Sequence, residues 1–162
     1  MDMEFMNTDQ KFNFYSTSCE QSLDFGEKLA KLIKPSQVIE FVGDLGGGKT
    51  TMIKGIARGF GIEKTVTSPT FNLTRSYEIP SGGHLEHYDL YRLENDGIMK
   101  RELAEVIADP TAIVVIEWAK PFIRDITDDY LLIKLDYVSE SKRAIEVSAT
   151  GPTSQAVIEA LR

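Results

Sequence analysis

The sequence predicts an α/β fold, a three-layer sandwich in which helices cover both faces of a mixed sheet of about seven strands. Short β-branched runs alternate with helical patterns in the first half of the chain, which is typical of parallel strands joined by helices. Two hairpin patterns follow and add antiparallel strands. Residues 112–116 are entirely apolar, as expected of a strand in the middle of a covered sheet.

The first elements are an edge strand, a capped helix and a buried strand. Residues 11–15 alternate weakly between apolar and polar and predict the edge strand. Ser18 and Gln21 have the spacing of a capping box, so we expect a helix over about residues 20–33, which Pro35 ends. Residues 38–42 are β-branched and aromatic and predict the buried strand.

Turn and cap signals place the remaining elements. The Pro-Ser-Gly-Gly run at 80–83 and the polar run at 139–143 each join two strands as a hairpin. Asp109 and Pro110 end a helix, and Thr153 is expected to cap the last one. The predicted strands lie at 71–79, 85–91, 131–138 and 144–149, and the predicted helices at 51–60, 98–108 and 155–161.

A glycine-rich loop separates the buried strand from the second helix. Residues 43–50 read Gly-Asp-Leu-Gly-Gly-Gly-Lys-Thr and fit the phosphate-binding pattern G-x-x-x-x-G-K-[ST]. Glycines let backbone N–H groups approach an anion, Lys49 supplies charge for the β- and γ-phosphates, and Thr50 offers a hydroxyl to Mg²⁺. The alternative is a glycine-rich turn that binds nothing, but the order of strand, loop and helix favours a P-loop NTPase-like fold. The predicted cofactor-binding residues are Leu45, Gly46, Gly47, Gly48, Lys49, Thr50 and Thr51.

Two acidic residues are candidates to complete a catalytic site with Lys49. Glu117 directly follows an apolar strand, where a carboxylate could hold Mg²⁺ together with Thr50; the alternative is an unpaired carboxylate at the end of the sheet. Asp89 lies in an otherwise aromatic and aliphatic strand, and it could orient a water, reach magnesium through water, or pair with Arg92. ATP is favoured over GTP because the chain has neither Asn-Lys-x-Asp nor Asp-x-x-Gly.

The segment after the second helix is a candidate switch. Its hydroxyls flank a proline between a helix and a strand, the place in the chain where nucleotide hydrolases carry loops that sense the γ-phosphate. An ordinary polar turn is the open alternative. The candidate switch residues are Thr67, Ser68, Pro69 and Thr70.

Other polar and aromatic residues give weaker signals. His84 and His87 are three apart, which places them on opposite faces of a strand, so structural roles are favoured over a zinc site. Trp118 could be a lid over the nucleotide, a partner anchor or a core residue. Each of several arginines could bind phosphate but is more simply a surface residue: Arg75, Arg92, Arg101, Arg124 and Arg143.

Composition predicts one cytoplasmic domain over residues 1–162. The chain is 42% hydrophobic with one cysteine, Cys19, which favours a reducing compartment, and it has no run long enough to span a membrane. Residues 1–10 lack a signal-peptide pattern and are expected to be a flexible lead-in or partly vector-derived. The net charge of −7 disfavours tight RNA binding by this chain alone, because like charges repel.

Four motifs occur in order along the chain: Gly-Asp-Leu-Gly-Gly-Gly-Lys-Thr-Thr at 43–51, Thr-Ser-Pro-Thr-Phe at 67–71, His-Tyr-Asp-Leu-Tyr-Arg-Leu at 87–93 and Ile-Glu-Trp at 116–118. Together they strongly resemble the TsaE (YjeE-type) family over about residues 20–149. The resemblance implies a mixed α/β ATPase of tRNA threonylcarbamoyladenosine synthesis that works with TsaB and TsaD. TsaD transfers the threonylcarbamoyl group to the adenosine beside the anticodon, and ATP hydrolysis resets the complex between turnovers.

The resemblance also implies roles for individual residues. Lys49 and Thr50 would bind phosphate and Mg²⁺, Glu117 would be a magnesium ligand, and residues 67–70 would form the switch. Asp89 would organise the attacking water. The chain around Ser18 to Ser22 and the hairpin residue Arg143 would approach the nucleoside. The family usually has alanine where Gly47 stands, and glycine there keeps the loop permissive.

Two other functions remain open from the sequence. A small-molecule kinase would have a similar loop and length, but it usually needs a mobile arginine-bearing lid, and no arginine-rich insertion is found. A binding module in which ATP only shapes an interface would bind nucleotide without turnover.

Overall fold

The computed structural model describes residues 11–44, 46–69 and 72–162. This part of the chain contains seven strands and five helices. The strands are β1 (Lys11–Ser16), β2 (Val38–Val42), β3 (Thr74–Glu78), β4 (His84–Asp89), β5 (Ala112–Glu117), β6 (Leu131–Tyr137) and β7 (Arg143–Ala149). The helices are α1 (Cys19–Ala30), α2 (Lys49–Gly59), α3 (Asp96–Ile107), α4 (Ile123–Ile126) and α5 (Pro152–Leu161).

The strands form one mixed sheet in the order β1-β7-β6-β2-β5-β4-β3. The four central strands β6, β2, β5 and β4 run parallel, whereas β3, β7 and β1 join their neighbours antiparallel. The predicted mixed seven-stranded sheet is confirmed. Because β2, β5 and β4 are parallel, their carboxyl ends meet at one edge, where open α/β sheets bind ligands.

Helices lie on both faces of the sheet, which confirms the three-layer arrangement. One core joins α1, α2 and α5 to one face and includes Leu29, Ile53 and Ile158. The second core joins α3 and α4 to the other face and includes Leu103 and Ile123. Every residue of β5 is buried because this strand is covered on both faces, as its apolar sequence predicts. No helix of the described residues is long and apolar enough to cross a membrane.

The cap predicted for the first helix is present, with one difference. Ser18 is the N-cap, and its Oγ accepts a hydrogen bond from Gln21 N at 3.1 Å. The Gln21 side chain, however, accepts from Thr17 N at 2.8 Å rather than from the N-cap backbone. The helix ends at Ala30, three residues before the predicted end, because Lys31 already has the backbone of a C-cap.

Several other boundaries differ from the sequence prediction. β4 ends at Asp89 rather than residue 91, and α3 begins at Asp96, where Asn95 supplies the cap. β3 begins at Thr74, while Phe71, the predicted start, lies outside the described residues. The short helix α4 was not predicted because four residues carry too little periodicity to show.

The cap predicted at Thr153 for the last helix is wrong. The helix begins at Pro152, with Gly151 as N-cap, and glycine has no side chain to accept its first N–H groups. Asp129 replaces the missing cap from the loop before β6: its carboxylate accepts from Thr153 N at 2.8 Å and from Ser154 N at 3.0 Å. Burial works to raise the pKa of Asp129, but the hydrogen bonds from Ser154 and Thr153 outweigh it and hold that pKa below its ordinary value.

We expect Asp129→Ala to lower the free energy of unfolding by about 1–2 kcal/mol at neutral pH, the usual cost of losing a helix cap. Because the folded pKa is the lower one, the wild-type advantage should be present above the unfolded pKa and disappear as the pH falls through the folded pKa. Urea unfolding at several pH values measures this. Asp128→Ala is the control, and equal losses in both variants at neutral pH would contradict the capping role.

Candidate nucleotide-binding site

The predicted site residues meet at the carboxyl edge of the three parallel strands. Asp89 and Glu117 are the last residues of β4 and β5, and they are direct neighbours in the sheet register. The glycine-rich loop follows β2 on the other side of β5. Together these segments surround a cavity of about 240 Å³, lined by Gly46, Gly47, Gly48, Lys49, Thr50, Thr51, Ser68, Asp89, Glu117 and Trp118.

The loop ends in a backbone shape that leaves amide groups facing the cavity. Gly48 is the N-cap of α2 with φ of 96°, a conformation that glycine adopts without strain. The first N–H groups of a helix have no intrahelical partner, and here no side chain caps them either. Free amides together with the positive end of a helix dipole form an anion-binding site. Leu45, which was also predicted to bind the cofactor, lies outside the described residues.

The Lys49 side chain is buried and folded against its own loop. Its Nζ donates to Gly43 O at 2.6 Å and to Asp44 O at 2.8 Å, and it lies 4.6 Å from the centre of the Trp118 ring. Burial lowers the pKa of Lys49, while the negative charges of Glu117, Asp89 and Asp44 act in the opposite direction. The ammonium group is therefore bound to two carbonyls of its own loop and lies within electrostatic reach of the Glu117 and Asp89 carboxylates.

Glu117 takes part in a chain of polar contacts across the cavity. Its carboxylate is 3% exposed, and its Oε2 lies 2.9 Å from His87 Nε2 and 3.5 Å from Ser68 Oγ. Ser68 Oγ is in turn 3.0 Å from Thr50 Oγ1. The structure thus brings the predicted magnesium ligands, Thr50 and Glu117, to either side of one serine hydroxyl.

This donor set fits magnesium that arrives with a nucleotide. Mg²⁺ prefers oxygen ligands, and in phosphate sites it takes one or two from the protein and the rest from phosphates and water. Thr50 and Glu117 supply such oxygens. Within the described ranges, no group of three or more His, Cys, Asp or Glu side chains could hold a metal without such help.

Asp89 faces the same cavity and is half-buried. Its Oδ1 accepts a hydrogen bond from Tyr91 N at 3.0 Å, and no ion pair joins it to Arg92, whose pairing the sequence left open. Burial raises the pKa of Asp89 and the Glu117 charge raises it further, while the Tyr91 N–H lowers it. The carboxylate is therefore held by the backbone and keeps one oxygen free for a ligand in the cavity.

The candidate switch segment enters the cavity through one residue. Ser68 lines it, whereas Thr67 is exposed and its backbone N and O lie 3.4 and 3.5 Å from the Tyr77 hydroxyl. Pro69 is buried, and Thr70 lies outside the described residues.

Arg143 contacts the glycine-rich loop, whereas Ser18 does not line the cavity. Arg143 Nε donates to Gly47 O at 3.2 Å, and its guanidinium stacks 4.9 Å from the Tyr137 ring centre. The first residue of β7 therefore places a positive charge against the glycine-rich loop through this hydrogen bond. Ser18 caps α1 and does not line the cavity, so no contact here joins it to the glycine loop.

Trp118 lies between the loop and β4 rather than in either core. Its backbone φ is 56°, which is uncommon for a residue with a side chain. The ring is half-buried, packs 4.9 Å from Tyr91 and covers Lys49 Nζ. The core role that the sequence left open is thereby excluded, and the indole lines the cavity beside Lys49.

Comparisons with known proteins agree with this arrangement. A family model described as "Threonylcarbamoyl adenosine biosynthesis protein TsaE" matches residues 16–145. The chain belongs to the TsaE family. The tRNA threonylcarbamoyladenosine biosynthesis protein TsaE of Nostoc sp. is 33% identical over 159 residues, which cover 91% of this chain and 92% of that protein. The TsaE protein of Bacillus subtilis is 30% identical and covers 88% of both chains. The crystal structure of Bacillus subtilis YdiB superimposes with a TM-score of 0.79 at 26% identity over 94% of each chain.

Gly47 is the position at which this TsaE chain departs from the expected alanine. Gly47 N donates to Asp44 O at 2.9 Å, which closes the loop on itself. A Cβ at Gly47 would lie 2.9 Å from Asp44 O, closer than side-chain atoms normally approach. The loop of this TsaE chain therefore has a tighter turn here than alanine would allow without a shift of the Asp44 carbonyl.

His87 is a site residue that the sequence reasoning missed. It is fully buried, its Nε2 faces Glu117, and its Nδ1 has no hydrogen-bond partner in the described part of the chain. The structural role that we favoured over zinc binding is to hold the Glu117 carboxylate. The sequence indicates this position, because His87 and Asp89 are two residues apart in a strand and their side chains therefore lie on the same face of the sheet.

We expect His87→Phe to lower the free energy of unfolding by about 1–2 kcal/mol, because it keeps a ring but removes the closer of the two contacts of the buried Glu117 carboxylate and leaves only the longer one to Ser68. Urea unfolding of the free protein measures this. His84→Gln is the matched control, since His84 is half-exposed at the other end of β4. An unchanged stability of His87→Phe would show that the contact does not hold Glu117.

Proposed function

We propose that this chain is a magnesium-dependent ATPase subunit that supports the formation of threonylcarbamoyladenosine next to the tRNA anticodon. It would bind and hydrolyse ATP to reset a complex of TsaB-like and TsaD-like proteins between turnovers. The observation that carries the proposal is the cavity in which free helix amides, the Lys49 ammonium and the polar chain from Thr50 to Glu117 converge.

We propose a role for each residue from the chemistry of the cavity. The loop amides and Lys49 bind the β- and γ-phosphates, with Lys49 Nζ exchanging its bonds to Gly43 O and Asp44 O for bonds to phosphate oxygens. Thr50 and Glu117 would hold magnesium, which would neutralise part of the phosphate charge. Asp89 accepts a hydrogen bond from the attacking water and orients it.

The residues around these groups position them. Ser68 is in reach of both Thr50 and Glu117 and is the residue of the switch segment that senses whether a γ-phosphate is present. Arg143 holds the loop at Gly47 O, and we propose that it approaches the nucleoside together with Ser18. The absence of guanine-reading motifs from the sequence favours adenine.

Partner proteins supply the contact with RNA in this proposal. The chain carries a net charge of −7, and binding a phosphate backbone requires clustered positive charge. The printed names of its relatives connect the family to tRNA threonylcarbamoyladenosine biosynthesis, so we propose that tRNA meets this chain only through its partners.

ATP turnover with and without the TsaB-like and TsaD-like proteins of the same organism tests the proposal. We expect stimulated release of phosphate and a stable complex on a sizing column. Absence of both stimulation and complex formation would contradict it. A phosphorylated metabolite would indicate a kinase instead, and nucleotide binding without turnover in the presence of both partners would indicate an ATP-gated binding module.

A further inference from the structure

A second cavity lies next to the first and shares Trp118 with it. Its volume is about 440 Å³, and it is bordered by β2, β6 and the segment from Trp118 to α4. Glu40 projects into it, because Ile39 and Phe41 on either side belong to the core below α1 and α2. No long helix covers this part of the sheet, since β6 and β7 are joined by a hairpin rather than by a crossover helix.

Glu40 is a buried carboxylate without a hydrogen-bond donor. It is 9% exposed, and no hydrogen bond or ion pair joins it to any residue of the described ranges. Burial raises the pKa of Glu40, and the positive charge of Arg124 opposes this only in part. Burial thus disfavours the charged carboxylate, and its position in the lining of an open cavity leaves it within reach of a donor from another molecule.

The other walls define what kind of donor fits. Val42 is apolar and 39% exposed, and Ala119 and Pro121 line the opposite side. At the mouth, Lys134 is already paired with Asp136 at 3.2 Å. The lining therefore combines the Glu40 carboxylate, apolar groups and the Trp118 ring with two cations of this chain, Arg124 and Lys134.

We propose that this cavity receives an arginine side chain of a partner protein, with its guanidinium paired to Glu40 and its methylene stem against Val42 and Pro121. Arginine fits better than lysine because both carboxylate oxygens are unpaired and a guanidinium binds them together. It also stacks on indole rings, and it is enriched at the centres of interfaces. The acidic chain favours a basic partner surface.

The second cavity is in physical contact with the elements that hold Lys49. Trp118 lines both cavities, and its ring covers Lys49 Nζ. Gly43 and Asp44, whose carbonyls accept from Lys49, also border the second cavity. An arginine bound there lies against the Gly43 and Asp44 carbonyls and the Trp118 ring, which Lys49 leaves when it binds phosphate. Partner docking and nucleotide binding are therefore coupled. Each changes the affinity for the other by the same factor.

A short peptide tests the cavity without any assumption about the partner. The peptide acetyl-Gly-Arg-Gly-amide is titrated into the ¹⁵N-labelled chain, and acetyl-Gly-citrulline-Gly-amide, which has the same shape without charge, is the comparison. We expect saturable shifts of the amide signals of residues 40–44 and 118–120 with the arginine peptide, and binding at least about tenfold weaker with citrulline. Shifts that are absent, or equal for both peptides, overturn the proposal.

Two variants assign the effect to the buried carboxylate. Glu40→Gln keeps the size of the side chain and should abolish the saturable shifts, whereas Asp136→Asn, which changes an exposed carboxylate at the mouth, should keep them. Glu40→Gln removes a buried charge, so it should unfold at the same temperature as the wild type or higher. Shifts that persist in a folded Glu40→Gln protein overturn the proposal.

Binding of the TsaB-like and TsaD-like proteins is then compared between the wild type and Glu40→Gln. This experiment rests on the proposed function, because the proposal names these proteins as the partners. Glu40→Gln should weaken their binding at least about tenfold, while its affinity for Mg·ADP in the absence of partners stays within about twofold of the wild type. Full partner affinity in Glu40→Gln overturns the assignment of the arginine to these partners and leaves the ATPase proposal intact. Failure of the wild type to bind Mg·ADP contradicts the ATPase proposal, whereas the peptide titration still decides the cavity.

Discussion

Lys49→Ala is expected to lower the affinity for Mg·ADP and Mg·ATP by at least about 100-fold, which corresponds to about 2.7 kcal/mol. The Lys49 ammonium is buried among loop carbonyls and already faces the place where phosphates would lie. Removing it deletes at least one charge-assisted hydrogen bond of about 1.5–3 kcal/mol together with the charge that attracts the phosphates. Titration calorimetry of the purified variant measures the loss.

The control for Lys49→Ala is Lys54→Ala. Lys54 lies on the same helix, α2, but is exposed and outside the cavity, so its loss should change nucleotide affinity less than about twofold. Circular dichroism should show that both variants remain folded. If Lys49→Ala binds Mg·ADP as tightly as Lys54→Ala does, the glycine-rich loop is not the phosphate site.

Glu117→Gln is expected to lower magnesium-dependent ATP turnover at least about 100-fold, while ADP affinity without magnesium changes less than about fivefold. The carboxylate is the buried acid of the cavity that is connected through Ser68 to Thr50, and an amide is a poor ligand for Mg²⁺. Glutamine keeps the size and can still accept from His87 Nε2, so the fold should be retained. Turnover is measured with the partner proteins present, over a range of magnesium concentrations.

Glu159→Gln is the matched control for that variant, since Glu159 is exposed on α5, away from the cavity. It should turn over ATP at the wild-type rate. Equal turnover in Glu117→Gln would remove Glu117 from the proposed site. A parallel loss of ADP affinity without magnesium would indicate a collapsed loop rather than a missing metal ligand.

The sequence predicted those parts of the fold and site that depend on local patterns. The apolar run of β5 placed that strand in the middle of the sheet, and a carboxylate directly after it was bound to reach the carboxyl edge. The glycine-rich loop between a strand and a helix placed Lys49 and Thr50 at the same edge. Asp89 meets Glu117 there because β4 and β5 are parallel neighbours, which the order of the strands determines.

Contacts between segments distant in the sequence could not be predicted in this way. Asp129 caps a helix that begins 23 residues later, as the start of α5 at Pro152 shows, and nothing in the local pattern of either segment indicates it. His87 holds Glu117 across the sheet, which becomes visible only once the register of β4 and β5 is known. The bond from Arg143 to Gly47 likewise depends on the turn that joins β6 and β7.

The measurement that tests the central claim most directly is a calorimetric titration of the folded wild-type chain with Mg·ATP and, separately, with Mg·ADP. We expect saturable binding of one nucleotide per chain, with ADP and ATP competing for the same site. Absence of heat and of saturable binding for both nucleotides would contradict it.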